Sequence, residues 1–125
     1  MMNTQLAERQ EWTQADTVAV LGTSMVPVMN DAGMIIVHAE GDSMEPHIRT
    51  GDVLVVDPTQ TEPTRAAVYL LGYGEHGYKF NRIERDPRDG TLTVRCDNKY
   101  YTDFEGVPRE NVNIVGRVVG TYRKE

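Results

Sequence analysis

Ser43 stands in Gly41-Asp42-Ser43-Met44-Glu45-Pro46, just after an apolar run that ends near His38. This is a place where a hydroxyl can be presented at a sharp bend. Gly41 permits a positive φ or close backbone approach, and Pro46 suits the first turn of a short helix. Amides around such a bend can form an oxyanion hole, which needs donors aimed at developing negative charge. On spacing alone, Gly-Asp-Ser is also an ordinary turn. Metal chemistry has less support. The one cysteine, Cys96, and the histidines His38, His47 and His76 lack the C-x-x-C or H-x-x-x-H spacing of a ligand set. No metal and no cofactor are expected.

The elements that must carry Ser43 are read as strands. Short runs rich in Val, Ile and Tyr alternate with Gly, Pro and Asp from Val18 onward. Strands are predicted near 18–21, 34–40, 52–57, 66–71, 77–85, 91–96 and 112–122. The intervening turns carry Asn30-Asp31-Ala32-Gly33, Asp57-Pro58, Gly72-Tyr73-Gly74 and Asp86-Pro87-Arg88-Asp89-Gly90, the last a strong hairpin signal. Residues 1–17 are polar with little periodicity and read as an N-terminal arm or linker before a domain spanning 18–125. The run from Val112 to Tyr122 alternates imperfectly and carries Val118-Val119 together, a pattern that fits a strand covered on both faces.

Composition sets the class. The 125 residues fit one domain, and 39% hydrophobic with 26% charged residues is ordinary for a globular chain. A net charge of −6 argues against a face that grips a phosphate backbone unaided. Apolar runs such as Gly33 to Val37 are far short of the roughly 20 residues that cross a bilayer, and Met1 to Gln14 has no apolar signal-peptide core. With a single thiol there is no internal disulfide, so the expected location is cytoplasmic, with no membrane partner.

The wider context of Ser43 carries a resemblance. Gly41-Asp42-Ser43-Met44-Glu45-Pro46, then Ile48 and Gly51-Asp52-Val53-Leu54-Val55-Val56-Asp57, looks like the signature block of the LexA, UmuD and phage-repressor family. Arg82-Ile83-Glu84-Arg85, a glycine turn, Leu92, Cys96-Asp97-Asn98-Lys99-Tyr100 and Ile114-Val115-Gly116-Arg117-Val118-Val119 follow in the family's order. The resemblance spans about residues 34–122. It implies a mainly β fold, the LexA and signal-peptidase-like domain of short, strongly twisted sheets with little helix. Signal peptidase itself has a similar Ser-Met-x-Pro block, but is membrane-anchored.

In the resembling family a serine attacks a peptide bond of its own chain, and a strand lysine takes its proton. Ser43 matches the nucleophile. The lysine stands two residues before the aliphatic position of a Lys-Arg-Leu-like segment, which places Asn81 of Asn81-Arg82-Ile83 at the base position. An amide has no useful basicity, and the Arg82 guanidinium stays protonated. Lys79 is the alternative base: it shares a strand face with Asn81, about 6.6 Å along the strand. Family members are cut at Ala-Gly or Cys-Gly pairs, and Ala32-Gly33 is such a pair here, in a stretch that also reads as a turn.

The resemblance therefore implies a regulatory and self-association domain of a phage-type or SOS-type transcriptional repressor, with self-cleavage impaired at Asn81. The alternatives are an active serine-lysine self-cleaving peptidase using Ser43 and Lys79, or a short UmuD-like stand-alone member. The implied partners are a second copy of the chain, in a homodimer or higher assembly with the 112–122 strand at or near the interface, and a protein activator or antirepressor. DNA would be reached only through a DNA-binding domain absent from this chain.

Overall fold

The computed structural model describes residues 27–123. Within them lie eight strands: β1 (Val28–Met29), β2 (Ile35–His38), β3 (Val53–Asp57), β4 (Ala67–Gly72), β5 (Tyr78–Arg85), β6 (Leu92–Arg95), β7 (Phe104–Val107) and β8 (Ile114–Tyr122). Helix among the described residues is confined to two single-turn 3-10 segments, Gly74–His76 and Arg109–Asn111. The chain is mainly β, as expected. Its strands form one antiparallel sheet in the order β1-β2-β3-β8-β4-β5-β6-β7 rather than several separate ones.

Two meanders, β1-β2-β3 and β4-β5-β6-β7, are joined by β8, which returns to lie between β3 and β4. The sheet accommodates this insertion through register irregularities at Val55/Val56 and at Leu70/Leu71. Gly116 on β8 lies against the end of β3. A Cβ there would lie 2.5 Å from the Asp57 carbonyl oxygen, so no larger residue fits without moving backbone.

Strand alternation divides the apolar side chains between two cores. One contains Val37, Met44, Ile48, Leu54, Val56, Leu70 and Phe80, and the other Tyr69, Leu71, Ile83, Leu92, Val94 and Ile114. Strand β4 sends Leu70 to the first and Tyr69 and Leu71 to the second, so both of its faces are covered. That is why its sequence reads as a continuous apolar run instead of an alternating one. Each such large side chain, fully buried, contributes about 2 kcal/mol to holding the sheet. Met44 and Ile48 belong to the first core, and through them the Ser43 turn is packed onto the sheet.

Six of the seven expected strands match observed ones to within two residues at either end; the seventh, 18–21, and the 1–17 arm lie outside the described residues. Two strands were missed. β1 has two residues, and β7 is mostly exposed, contains Gly106 at φ 67° and touches β6 at only two register positions. β8 lies within the expected 112–122 run; within the chain it is covered from Ile114 to Arg117, while Val119 is 45% and Tyr122 64% exposed. Its apolar pattern came from a central strand with an open end.

Candidate active site around Ser43

The turn that carries Ser43 is closed by its own backbone. The Glu45 amide donates to the Asp42 carbonyl (3.1 Å), and the His47 and Ile48 amides both donate to the Met44 carbonyl (3.0 Å each). Gly41 takes the positive φ expected of it, 85°. The short helix expected at Pro46 does not form: residues 43–47 are turn. Among the described residues the amides of Ser43 and Met44 lie outside these turn bonds. Stabilising an oxyanion at this bend would call on donors of this kind.

Ser43 is half-buried and borders a cavity of about 300 Å³. Across it stand Tyr78, Lys79 and Phe80 at the start of β5, with Tyr101 and His76 on the remaining walls. Lys79 is exposed and lines this cavity; Asn81 does not. Asn81 is 6% exposed and turned to its neighbours. Its Nδ2 donates to the Arg95 carbonyl (3.2 Å) and to Cys96 Sγ (3.5 Å), and its Oδ1 accepts from the Tyr73 hydroxyl (3.4 Å). The structure thus brings Ser43 and Lys79 to one cavity and sets Asn81 beside it, in a polar pocket against β6. Burial pushes the Cys96 thiol and the Tyr73 hydroxyl up, so both stay protonated near neutral pH and leave Asn81 among neutral groups.

Residues 97–101, after β6, cover the serine turn. The Asn98 amide donates to the Ser43 carbonyl (2.9 Å), Asn98 Nδ2 donates to the Asp42 carbonyl (2.9 Å), and the Tyr101 hydroxyl donates to Asp42 Oδ1. That bond to Asp42, together with the carboxylate's charge, raises the Tyr101 pKa. Asp97 receives Arg82 Nε at 2.9 Å and its terminal nitrogen at 2.8 Å, and also His47 Nδ1 at 2.8 Å. From the other side, Arg123 forks onto Asp52 (2.9 Å to each oxygen) and reaches the His47 carbonyl at 3.3 Å. Asp52 is only 2% exposed, and the Arg123 bonds hold its carboxyl below the usual carboxylate range.

Sequence reasoning assigned no role to His47, Asp52, Asp97, Asn98, Tyr101 or Arg123. Cys96 to Tyr100 was visible as part of a pattern. Its partners on the serine turn stand 50 or more residues away, however, and no local spacing signals such a contact. Ala32-Gly33 sits in the β1–β2 hairpin turn, where the Asn30 side chain accepts from the Ala32 and Met34 amides (2.9 Å each) and Gly33 has φ 84°. That geometry matches the turn reading of this pair.

A half-buried Ser43 on a tight turn and Lys79 of β5 thus line one small cavity beside an antiparallel sheet. The chain belongs to the Peptidase S24-like family, whose family model matches residues 3–119. The match begins well before the 34–122 stretch that carries the resemblance in the sequence. No curated protein matches the chain.

Proposed function

We propose that this chain is the regulatory and self-association domain of a phage-type or SOS-type repressor, a Peptidase S24-like domain that keeps the nucleophile Ser43 but has an amide at its base position. The observation that carries the reading is the environment of Asn81. A buried amide bonded to Tyr73, Arg95 and Cys96 can neither take the Ser43 proton nor be replaced in that role by Arg82, which is committed to Asp97. The domain's work would then be pairing of subunits in the cytoplasm. The open end of β8 supports this: beyond Arg117, its last residue paired with β4, the strand leaves Val119 and Tyr122 exposed and bonds on one side, to β3. DNA contact would belong to a separate domain. The test is long incubation at alkaline pH followed by intact mass measurement, alongside sedimentation at high micromolar concentration. An uncut dimer supports the reading; a cut protein or a strict monomer opposes it.

A second reading is favoured by one specific observation, the presence of Lys79 in the Ser43 cavity. Here neutral Lys79 takes the Ser43 Oγ proton as Oγ attacks a peptide carbonyl. The C–N bond breaks, the leaving amine receives that proton, and water then hydrolyses the serine ester. Loss of Ser43 reactivity in Lys79→Ala would select this reading.

A further inference from the structure

A serine nucleophile is useful only if its turn is held at a fixed distance from the strand that faces it, and catalytic geometry tolerates little misplacement. Two separate stretches of chain must therefore be tied together here: the turn at 42–48 and strand β5. Direct backbone pairing cannot do this, because the neighbours of β5 in the sheet are β4 and β6. Core packing of Phe80 with Met44 and Ile48 and the loop after β6 have to span the gap.

Asp97 lies in that loop. Its carboxylate is 7% exposed and lies between Arg82 on β5 and His47 on the serine turn. Arg82 stands one residue after Asn81 and three after Lys79, so whatever fixes Arg82 fixes the stretch of β5 that borders the cavity. His47 stands four residues after Ser43, and its amide is one of those that close the turn. The backbone of Asp97 adds a contact to the same turn, its amide lying 3.5 Å from Met44 Sδ, and the next residue, Asn98, bonds the Ser43 carbonyl. Arg82 holds the Asp97 carboxyl below the usual carboxylate range, so it is ionised at neutral pH, keeps its ion pair with Arg82 and remains an acceptor for His47.

We propose that Asp97 is the positioning residue of this site, a carboxylate that fixes the Ser43 turn against strand β5. The inference rests on Ser43 being the working residue of the site. Its first test does not depend on reactivity. Amide hydrogen exchange on the full chain, read at Glu45, His47 and Ile48, should be roughly tenfold or more faster in Asp97→Asn, with β3 and β8 as protected as before. Glu84→Gln, which removes an ion pair to Arg95 on the same β5–β6 hairpin, should leave the serine turn unchanged. His47→Ala removes an exposed side chain and keeps the Arg82 pair, so it folds; it should loosen the turn in the same direction. Unchanged exchange at the turn in both Asp97→Asn and His47→Ala would overturn the role, as would an acceleration shared equally by β3 and β8.

The second test reads chemistry on the Asn81→Lys background, using a fluorophosphonate that labels activated serines. Asp97→Asn should lower the limiting labelling rate about tenfold and leave the half-saturating reagent concentration unchanged. A change in that concentration with an unchanged limiting rate would overturn the role. Turn exchange as expected with no labelling in any background supports the structural tie and removes Ser43 as nucleophile, so the two failures are distinguishable.

Discussion

Asp97 and Asp86 each hold an arginine through two guanidinium nitrogens, Asp97 gripping Arg82 from 15 residues away and Asp86 gripping Arg88 from two. The Asp97 pair lies against the serine turn with its carboxylate almost fully buried, whereas Arg88 at the tip of the β5–β6 hairpin is 87% exposed. The same bond therefore has different consequences. At the hairpin tip, water competes for both partners and the turn is already made by backbone: the Asp86 amide donates to the Thr91 carbonyl and the Gly90 amide to the Asp86 carbonyl (2.8 Å each). At the serine turn the Asp97 bonds tie β5 to a turn it does not pair with in the sheet, alongside the Asn98 amide's bond to the Ser43 carbonyl. An exposed local pair decorates a turn that forms anyway, and a buried distant pair decides where a turn sits.

Breaking the distant pair should have the largest effect. Asp97→Asn leaves Arg82 and His47 without their shared charge and should cost about 2 kcal/mol of stability, read as a lowered Tm and denaturation midpoint. A wild-type Tm in this variant would reduce the Asp97 cluster to the status of the hairpin tip.

Acid should reveal the same asymmetry. Asp97 and Asp52 have pKa values lowered on folding, so their stabilisation is complete above about pH 4, the unfolded value, and is lost as pH falls through the lower folded values. The stability of Asp97→Asn should depend less steeply on pH below 4 than that of the unaltered protein. Equal slopes would show that Asp97 carries none of the acid sensitivity.

A smaller loss, a few degrees in Tm, is expected for Arg123→Ala, which frees the Asp52 carboxylate and the His47 carbonyl but leaves Asp52 its bond from the Arg49 amide. The smallest effect belongs to Arg88→Ala, with no resolvable change in Tm. Asp86, held at about 2 by the Arg88 bonds, should return toward its ordinary carboxylate value in that variant, observable by NMR titration. A clear loss of stability in Arg88→Ala would erase the distinction between the two regions.

The two regions also differ in how far they could be read from sequence. The hairpin was legible because Asp86-Pro87-Arg88-Asp89-Gly90 carries its own turn chemistry within five residues, and β4 and β5 were legible because Val, Leu, Ile and Tyr cluster there. Ser43 was legible as the residue at a bend. What surrounds it was not: Asp97, Asn98, Tyr101 and Arg123 reach the turn from at least 50 residues away, and nothing in their local sequence marks the contact. β7 escaped because short, exposed strands lack an alternating apolar signal. At Pro46 the local preference for a helix start lost to the tight turn that the Met44 and Ile48 anchors impose.

On the proposed reading, Ser43 is a nucleophile left without its base because Asn81 occupies that place. The measurement that meets it most directly is the pH dependence of fluorophosphonate labelling at Ser43 in the unaltered protein, Asn81→Lys and Lys79→Ala. The expected outcome is no labelling of the unaltered protein across the alkaline range, labelling of Asn81→Lys that rises with pH as the amine becomes neutral, and its loss when Ser43→Ala is added. Labelling of Ser43 in the unaltered protein, abolished by Lys79→Ala, would contradict it and make Lys79 the base.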